Sequence, residues 1–122
     1  MDLVTFGEAM VRLTPPERGR LEDARSFDAY VGGAELNVAA AAARLGVASR
    51  RVSRLPDNSL GRLIATRARA HGVDVSAVLI ARDARAGLYF VQLGDGGRAL
   101  AAEVLYDRAA SAMARLEPGM ID

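Results

Sequence analysis

The run Val31 to Gly46, V-G-G-A-E-L-N-V-A-A-A-A-A-R-L-G, sets two adjacent glycines ahead of an apolar segment that only Glu35, Asn37 and Arg44 interrupt. Such a segment predicts a buried helix, with Gly46 as its C-terminal cap. A Gly-Gly step lets bare backbone come close to a neighbour, and the free N–H groups of a helix start favour oxygen-rich or anionic groups. Two readings of Gly32 and Gly33 stand at this point: a tight strand-to-helix turn, or a cradle for a ligand. Asn37 falls in the first turn of a helix expected to be buried, so its amide needs partners. A backbone carbonyl could serve, and so could the hydroxyls of a bound molecule.

Outward from this run the pattern is mixed. Leu3 to Phe6 reads as a short buried strand ending at Gly7-Glu8, and Met10 to Leu13 continues extended until Pro15-Pro16. Arg18 to Arg25 reads as a charged loop, and Ser26 to Val31 alternates like a half-exposed strand. After the helix, Arg51 to Leu55 is a second core strand, and P-D-N-S makes a turn. Leu60 to His71 places Leu60, Leu63, Ile64 and Ala68 on one helical face, with Gly72 closing the helix. Val73 to Ile80 is a further strand. Strand, helix, strand, helix, strand predicts a layered α/β sheet. Gly87 to Leu93 and Ala99 to Tyr106 then read as a hairpin across G-D-G-G-R. With Gly96-Gly97 as a two-residue turn, Asp95 pairs with Arg98 and Tyr89 stands opposite Val104. Tyr106 is then diagonal to Tyr89 on the same face, followed by Arg108 if the strand runs two residues further. Each of these side chains also has a plain role, the tyrosines as packing and Arg108 as a solvated strand end. Glu8 is either a site acid or simply a carboxylate after the first strand.

Composition narrows the chemistry. The chain has 122 residues, 51% hydrophobic, enough for one core and one domain. All 16 basic residues are Arg, interleaved with 15 acidic ones for a net charge of +1. This balance gives no reason to expect nucleic acid or a membrane surface as a partner. Without Lys there is no G-x-x-x-x-G-K phosphate loop and no Schiff-base amine. Without Cys there is no thiolate nucleophile or disulfide, and the single His71 makes no multi-histidine metal site. The start has no signal-peptide pattern and no uncharged apolar run reaches the ~18 residues of a membrane span, which predicts a cytoplasmic protein. A dinucleotide enzyme is disfavoured because V-G-G-A-E-L lacks G-x-G-x-x-G spacing.

The segments V-T-F-G-E-A-M-V-R-L (Val4 to Leu13), the Gly-Gly helix run, L-P-D-N-S-L-G, H-G-V-D, G-L-Y-F and Y-D-R-A-A-S-A follow the order found in ribokinase-like (PfkB) carbohydrate kinases. The last two resemble 2-keto-3-deoxygluconate kinases in particular. The resemblance implies a Rossmann-like sheet flanked by helices, with a small β-hairpin lid whose strands lie near residues 10–31 and 86–108. Residues 1–122 would be the N-terminal part of one kinase domain, incomplete at its C-terminal side. It implies that Gly32, Gly33 and Asn37 contact sugar hydroxyls, while Tyr89, Tyr106 and Arg108 hold the keto-acid end. Fructokinase-like relatives tend to carry Asp where this chain has Arg12. Arg12 therefore either pairs with a substrate carboxylate, favouring an acid sugar, or extends along the strand end to solvent. ATP and Mg²⁺ are implied as co-substrate and cofactor, at a site outside this chain. The family's catalytic Asp lies in a G-A-G-D motif that these residues lack, so no catalytic residue is expected here and the chain alone is expected to be inactive. Pairing of lids implies a homodimer, and a non-catalytic sugar-acid-binding or dimerisation module is the alternative.

Overall fold

The computed structural model describes residues 1–94 and 101–121. Seven strands and two helices follow in the order β1 (Leu3–Phe6), β2 (Met10–Thr14), β3 (Asp28–Gly32), α1 (Ala34–Arg44), β4 (Ser49–Pro56), α2 (Ser59–Ala70), β5 (Val78–Ala81), β6 (Leu88–Gln92) and β7 (Glu103–Asp107). They form two sheets. One is a three-stranded parallel sheet in the order β1-β4-β5, with α1 and α2 as the connections back to β4 and β5. The other has four strands in the order β3-β2-β6-β7, with a parallel β2–β6 pair between two antiparallel pairs. Short 3₁₀ turns at Pro16–Arg18 and Leu21–Asp23 occupy the charged loop.

One core serves both sheets. Ala9 and Val11 from the base of the four-stranded sheet join Leu36 and Ala39 of α1, Leu55 of β4, and Ile64 and Ala68 of α2. Burial of this apolar surface is the dominant favourable term holding the sheets together. Both helices end in the same way. Gly46 N–H bonds to Ala43 and Val47 N–H to Ala42, while Gly72 and Val73 repeat the pattern on Arg69 and Ala68. These are Schellman caps, which satisfy carbonyls that a helix end otherwise leaves free.

Several expectations are corrected. β1 is not buried throughout: Val4 and Phe6 are 57% and 56% exposed because nothing among the described residues covers that side of the strand. Helix α1 is buried only at Leu36 and Ala39, and Asn37 is exposed, because the helix rests one narrow stripe on the sheet. Helix α2 buries Gly61, Ile64 and Ala68, while Leu60 faces outward. Gly61 takes that place because its Cα meets the Pro56 carbonyl, where any side chain would collide. The strand expected over Val73 to Ile80 is cut short. Asp74 makes a single bridge to Arg50, then its carboxylate accepts the Ser76 N–H at 2.8 Å, turning the chain before β5.

Two features were invisible in the pattern. Arg51 of β4 is 2% exposed, with its Nη2 donating to the Gly7 carbonyl at 2.6 Å. Burial pushes its pKa down, opposed by the charge of Glu35. The P-D-N-S turn also has a definite job: Asn58 Oδ1 accepts the backbone N–H groups of Leu60 and Gly61 at 3.1 and 3.0 Å and so caps α2. Asn58→Ala should lower the unfolding free energy by about 1 kcal/mol and Asn58→Asp should retain most of it, read by urea denaturation.

Candidate functional site

The two sheets meet where β1 ends and α1 begins. Gly33 carries φ +151° at the N-cap of α1, and a Cβ there would lie 2.5 Å from the Glu8 carbonyl oxygen. No side chain caps this helix start, so its first N–H groups are left available. A cavity of about 410 Å³ opens directly above, lined by Glu8, Met10, Gly33 to Glu35, Asn37, Tyr89, Tyr106 and Arg108. The volume suits a small polar molecule.

The four-stranded sheet supplies the opposite wall. Tyr30, Arg12, Tyr89 and Tyr106 are register partners across β3, β2, β6 and β7, so the four side chains leave the same face. Tyr89 stands directly opposite Tyr106, not opposite Val104, which pairs with Val91. The pairing thus differs by two residues from the expected register. A shift of two keeps every side chain on its face, which is why the tyrosines still come together. Their rings stack at 5.7 Å with 23° between planes. The expected Gly96-Gly97 turn lies outside the described residues.

Strand β7 stops at Asp107, so Arg108 does not reach the site by continuing the strand. A carboxylate holds it instead. Arg108 Nη2 meets Glu8 Oε1 at 2.7 Å, and Ser111 Oγ donates to Glu8 Oε2 at 2.6 Å. The two remaining sequence candidates stand apart from the cavity wall. Gly32 is buried with its Cα against the Tyr89 hydroxyl, where a Cβ would collide. It makes room for a phenol and does not itself face the cavity. Arg12 lies one strand to the side, on β2, its guanidinium 4.4 Å from the centre of the Tyr30 ring and its Nε buried without a partner. Gly33, Asn37, Tyr89, Tyr106 and Arg108 are therefore brought together, while Gly32 and Arg12 stand next to Tyr89 without lining the cavity. Glu35 and Met10 line the cavity without having been singled out, since a carboxylate in a first helical turn and a strand methionine have commoner roles. Among the described residues no group of three or more His, Asp or Glu side chains could hold a metal ion, and no helix is long and apolar enough to cross a membrane.

The α/β frame thus carries a second sheet folded over a polar, aromatic-walled cavity. Residues 1–118 match the pfkB family of carbohydrate kinases, and the chain belongs to that family. It is 47% identical over 117 residues to the 2-dehydro-3-deoxygalactonokinase of Haloferax volcanii, which covers 96% of this chain and 36% of that protein. The crystal structure of a 2-dehydro-3-deoxygluconokinase from Thermotoga maritima matches with a TM-score of 0.91 at 41% identity, over 100% of this chain and 36% of the other. An uncharacterized sugar kinase of Pyrococcus horikoshii, solved in complex with ATP, matches with a TM-score of 0.79 at 27% identity, over 90% and 35% of the two chains. The chain spans little more than a third of the length of these relatives.

Burial raises the pKa of the Tyr89 phenol above the ordinary 10.0, with the Arg12 charge pulling it down and Tyr106 adding a smaller rise. The folded chain then keeps a proton that the unfolded chain releases, so this group favours folding below about pH 10 and ceases to do so as pH rises through its folded pKa. Arg12→Met should push the Tyr89 transition higher. Gly32→Ala should displace the phenol toward solvent and bring the transition back toward 10.0, the value of a free phenol. Phenolate absorbance, with Tyr89→Phe to assign the transition, measures both.

Proposed function

We propose that this chain is the sugar-binding part of an ATP-dependent kinase that phosphorylates a hydroxyl of an acid sugar such as 2-keto-3-deoxygluconate. The observation that carries this reading is the cavity's two-ended wall. At one end are the uncapped start of α1, Gly33 and Asn37, suited to hydroxyl groups. At the other, Tyr89, Tyr106 and a half-exposed Arg108 offer two phenols and a guanidinium, suited to a carboxylate beside a keto group. The names of the similar kinases from Haloferax volcanii and Thermotoga maritima, both for 2-dehydro-3-deoxy acid sugars, support the same substrate class.

In this reading the chain binds and orients the acceptor, and the four-stranded sheet acts as a lid that excludes water. Held this way, one sugar hydroxyl is presented for in-line attack on a phosphoryl group. Bound ATP with Mg²⁺ would supply that phosphoryl group and neutralise its charge. The base that takes the hydroxyl proton belongs to a G-A-G-D motif absent from this sequence, so the 122 residues alone bind without transferring phosphate. The outward-facing Val4 and Phe6 of β1 support a further part of the protein lying against that strand. The exposed edge strand β7, with Val104 and Leu105 open, supports pairing of two lids in a homodimer. Among the described residues no helix is long and apolar enough to cross a membrane, which is compatible with a cytoplasmic setting.

Calorimetric titration tests the substrate class. The chain should bind 2-keto-3-deoxygluconate and prefer it to fructose. Arg108→Ala should weaken the acid roughly ten- to hundredfold, as expected for loss of a hydrogen bond to a charged group. Equal affinity for the two sugars, or equal turnover of both by a complete enzyme carrying this half, would refute the acid-sugar assignment.

A further inference from the structure

Glu8, Gly87 and Ser111 belong to the G-E, G-L-Y and Y-D-R-A-A-S segments, yet none of the three has a place in the binding scheme above. The structure brings them to one point. Glu8 leaves the end of β1, Gly87 precedes β6, and Ser111 lies just past β7, 103 positions from Glu8. A Cβ at Gly87 would stand 2.7 Å from Glu8 Oε2 and 3.2 Å from the Arg108 Cβ, so only glycine leaves the carboxylate and the arginine side by side.

Both Glu8 oxygens are engaged. Oε2 accepts from Ser111 Oγ at 2.6 Å, and that hydroxyl in turn accepts the Ala114 N–H at 3.2 Å. The serine proton is thereby directed at Glu8 and the carboxylate is held in one orientation. Oε1 takes Arg108 Nη2 at 2.7 Å. The Glu8 side chain is 7% exposed and the Arg108 side chain 48%. A carboxylate so enclosed, with a donor on each oxygen, is poorly placed to take a proton from a ligand. It is well placed to hold a guanidinium. Arg108 lies beyond the last residue of β7, where a long side chain would otherwise sample many rotamers. Pairs between two exposed charges hold little, but here one partner is buried and fixed. Of the guanidinium's five N–H donors, those not turned to Glu8 remain for the cavity.

We propose that Glu8 is a positioning residue: fixed by Ser111, its carboxylate aims the Arg108 guanidinium at the acid group of the ligand. This rests on the acid-sugar reading above. Ser111 is 1% exposed and cannot touch a ligand in the cavity, so its influence would have to pass through Glu8.

A double-mutant cycle on acid binding tests the relay. Glu8→Gln keeps the shape and removes the charge, and Ser111→Ala frees the carboxylate. Titrated with 2-keto-3-deoxygluconate, Glu8→Gln should weaken binding roughly tenfold and Ser111→Ala several-fold. In an Arg108→Ala background neither should weaken it further. Losses that simply add to that of Arg108→Ala, or no loss in either single variant, would overturn the proposal, since a general structural role acts whether or not Arg108 is present. If the unsubstituted chain binds no acid sugar, the functional reading fails, and the Arg108 side-chain ¹⁵N–¹H resonances decide the positioning alone. Restricted guanidinium rotation in the parent chain that is released in Glu8→Gln supports the relay, and identical resonances in both refute it.

Discussion

The close approach of Gly33 to the Glu8 carbonyl is the constraint on which the cavity depends. That contact leaves no room for a Cβ, and it seats the uncapped start of α1 on the exit of β1. A larger residue there would lift the helix from the strand and widen the floor of the cavity. It would also move Glu8, whose side chain reaches the far side of the same junction. One backbone contact therefore sets the position of the helix start, and through Glu8 the position of the guanidinium that faces it.

The opposite wall is governed by sheet geometry. Four register partners, Tyr30, Arg12, Tyr89 and Tyr106, form one row across four strands. The alternate positions Val11, Leu13, Val31 and Leu88 turn to the other face and join the core. The same alternation thus anchors the sheet and equips the cavity. Arg12 matters to the row without facing the ligand space, through its place over Tyr30 and its charge beside Tyr89.

Much of this was legible in the residues. The starts of β1 and β2, both helices and their glycine ends follow from local pattern and turn chemistry, and the tyrosines share a face despite a two-residue difference in register, because a shift of two restores the same face. What failed had tertiary causes. Asn37 was expected to be buried because its neighbours are apolar, but whether an Ala-rich helix is covered depends on what packs over it. Leu60 lost its place to Gly61 because the helix start is pressed against Pro56, which only the strand–helix geometry reveals. Asn58 looked like one more turn residue until its carbonyl oxygen met two helix N–H groups.

The sequence by itself determined the periodicities, the helix ends, the face on which Tyr89 and Tyr106 lie and the excluded chemistries. These depend on residues close together in the chain or on the absence of Lys and Cys. Only the tertiary structure decided what Glu8, Gly32, Arg12 and Ser111 touch. Glu8 and Ser111 meet across 103 positions, and Gly32 faces a phenol two strands away. Contacts of that kind leave no period and no spacing in the chain, because they exist only once two sheets have been folded against one another.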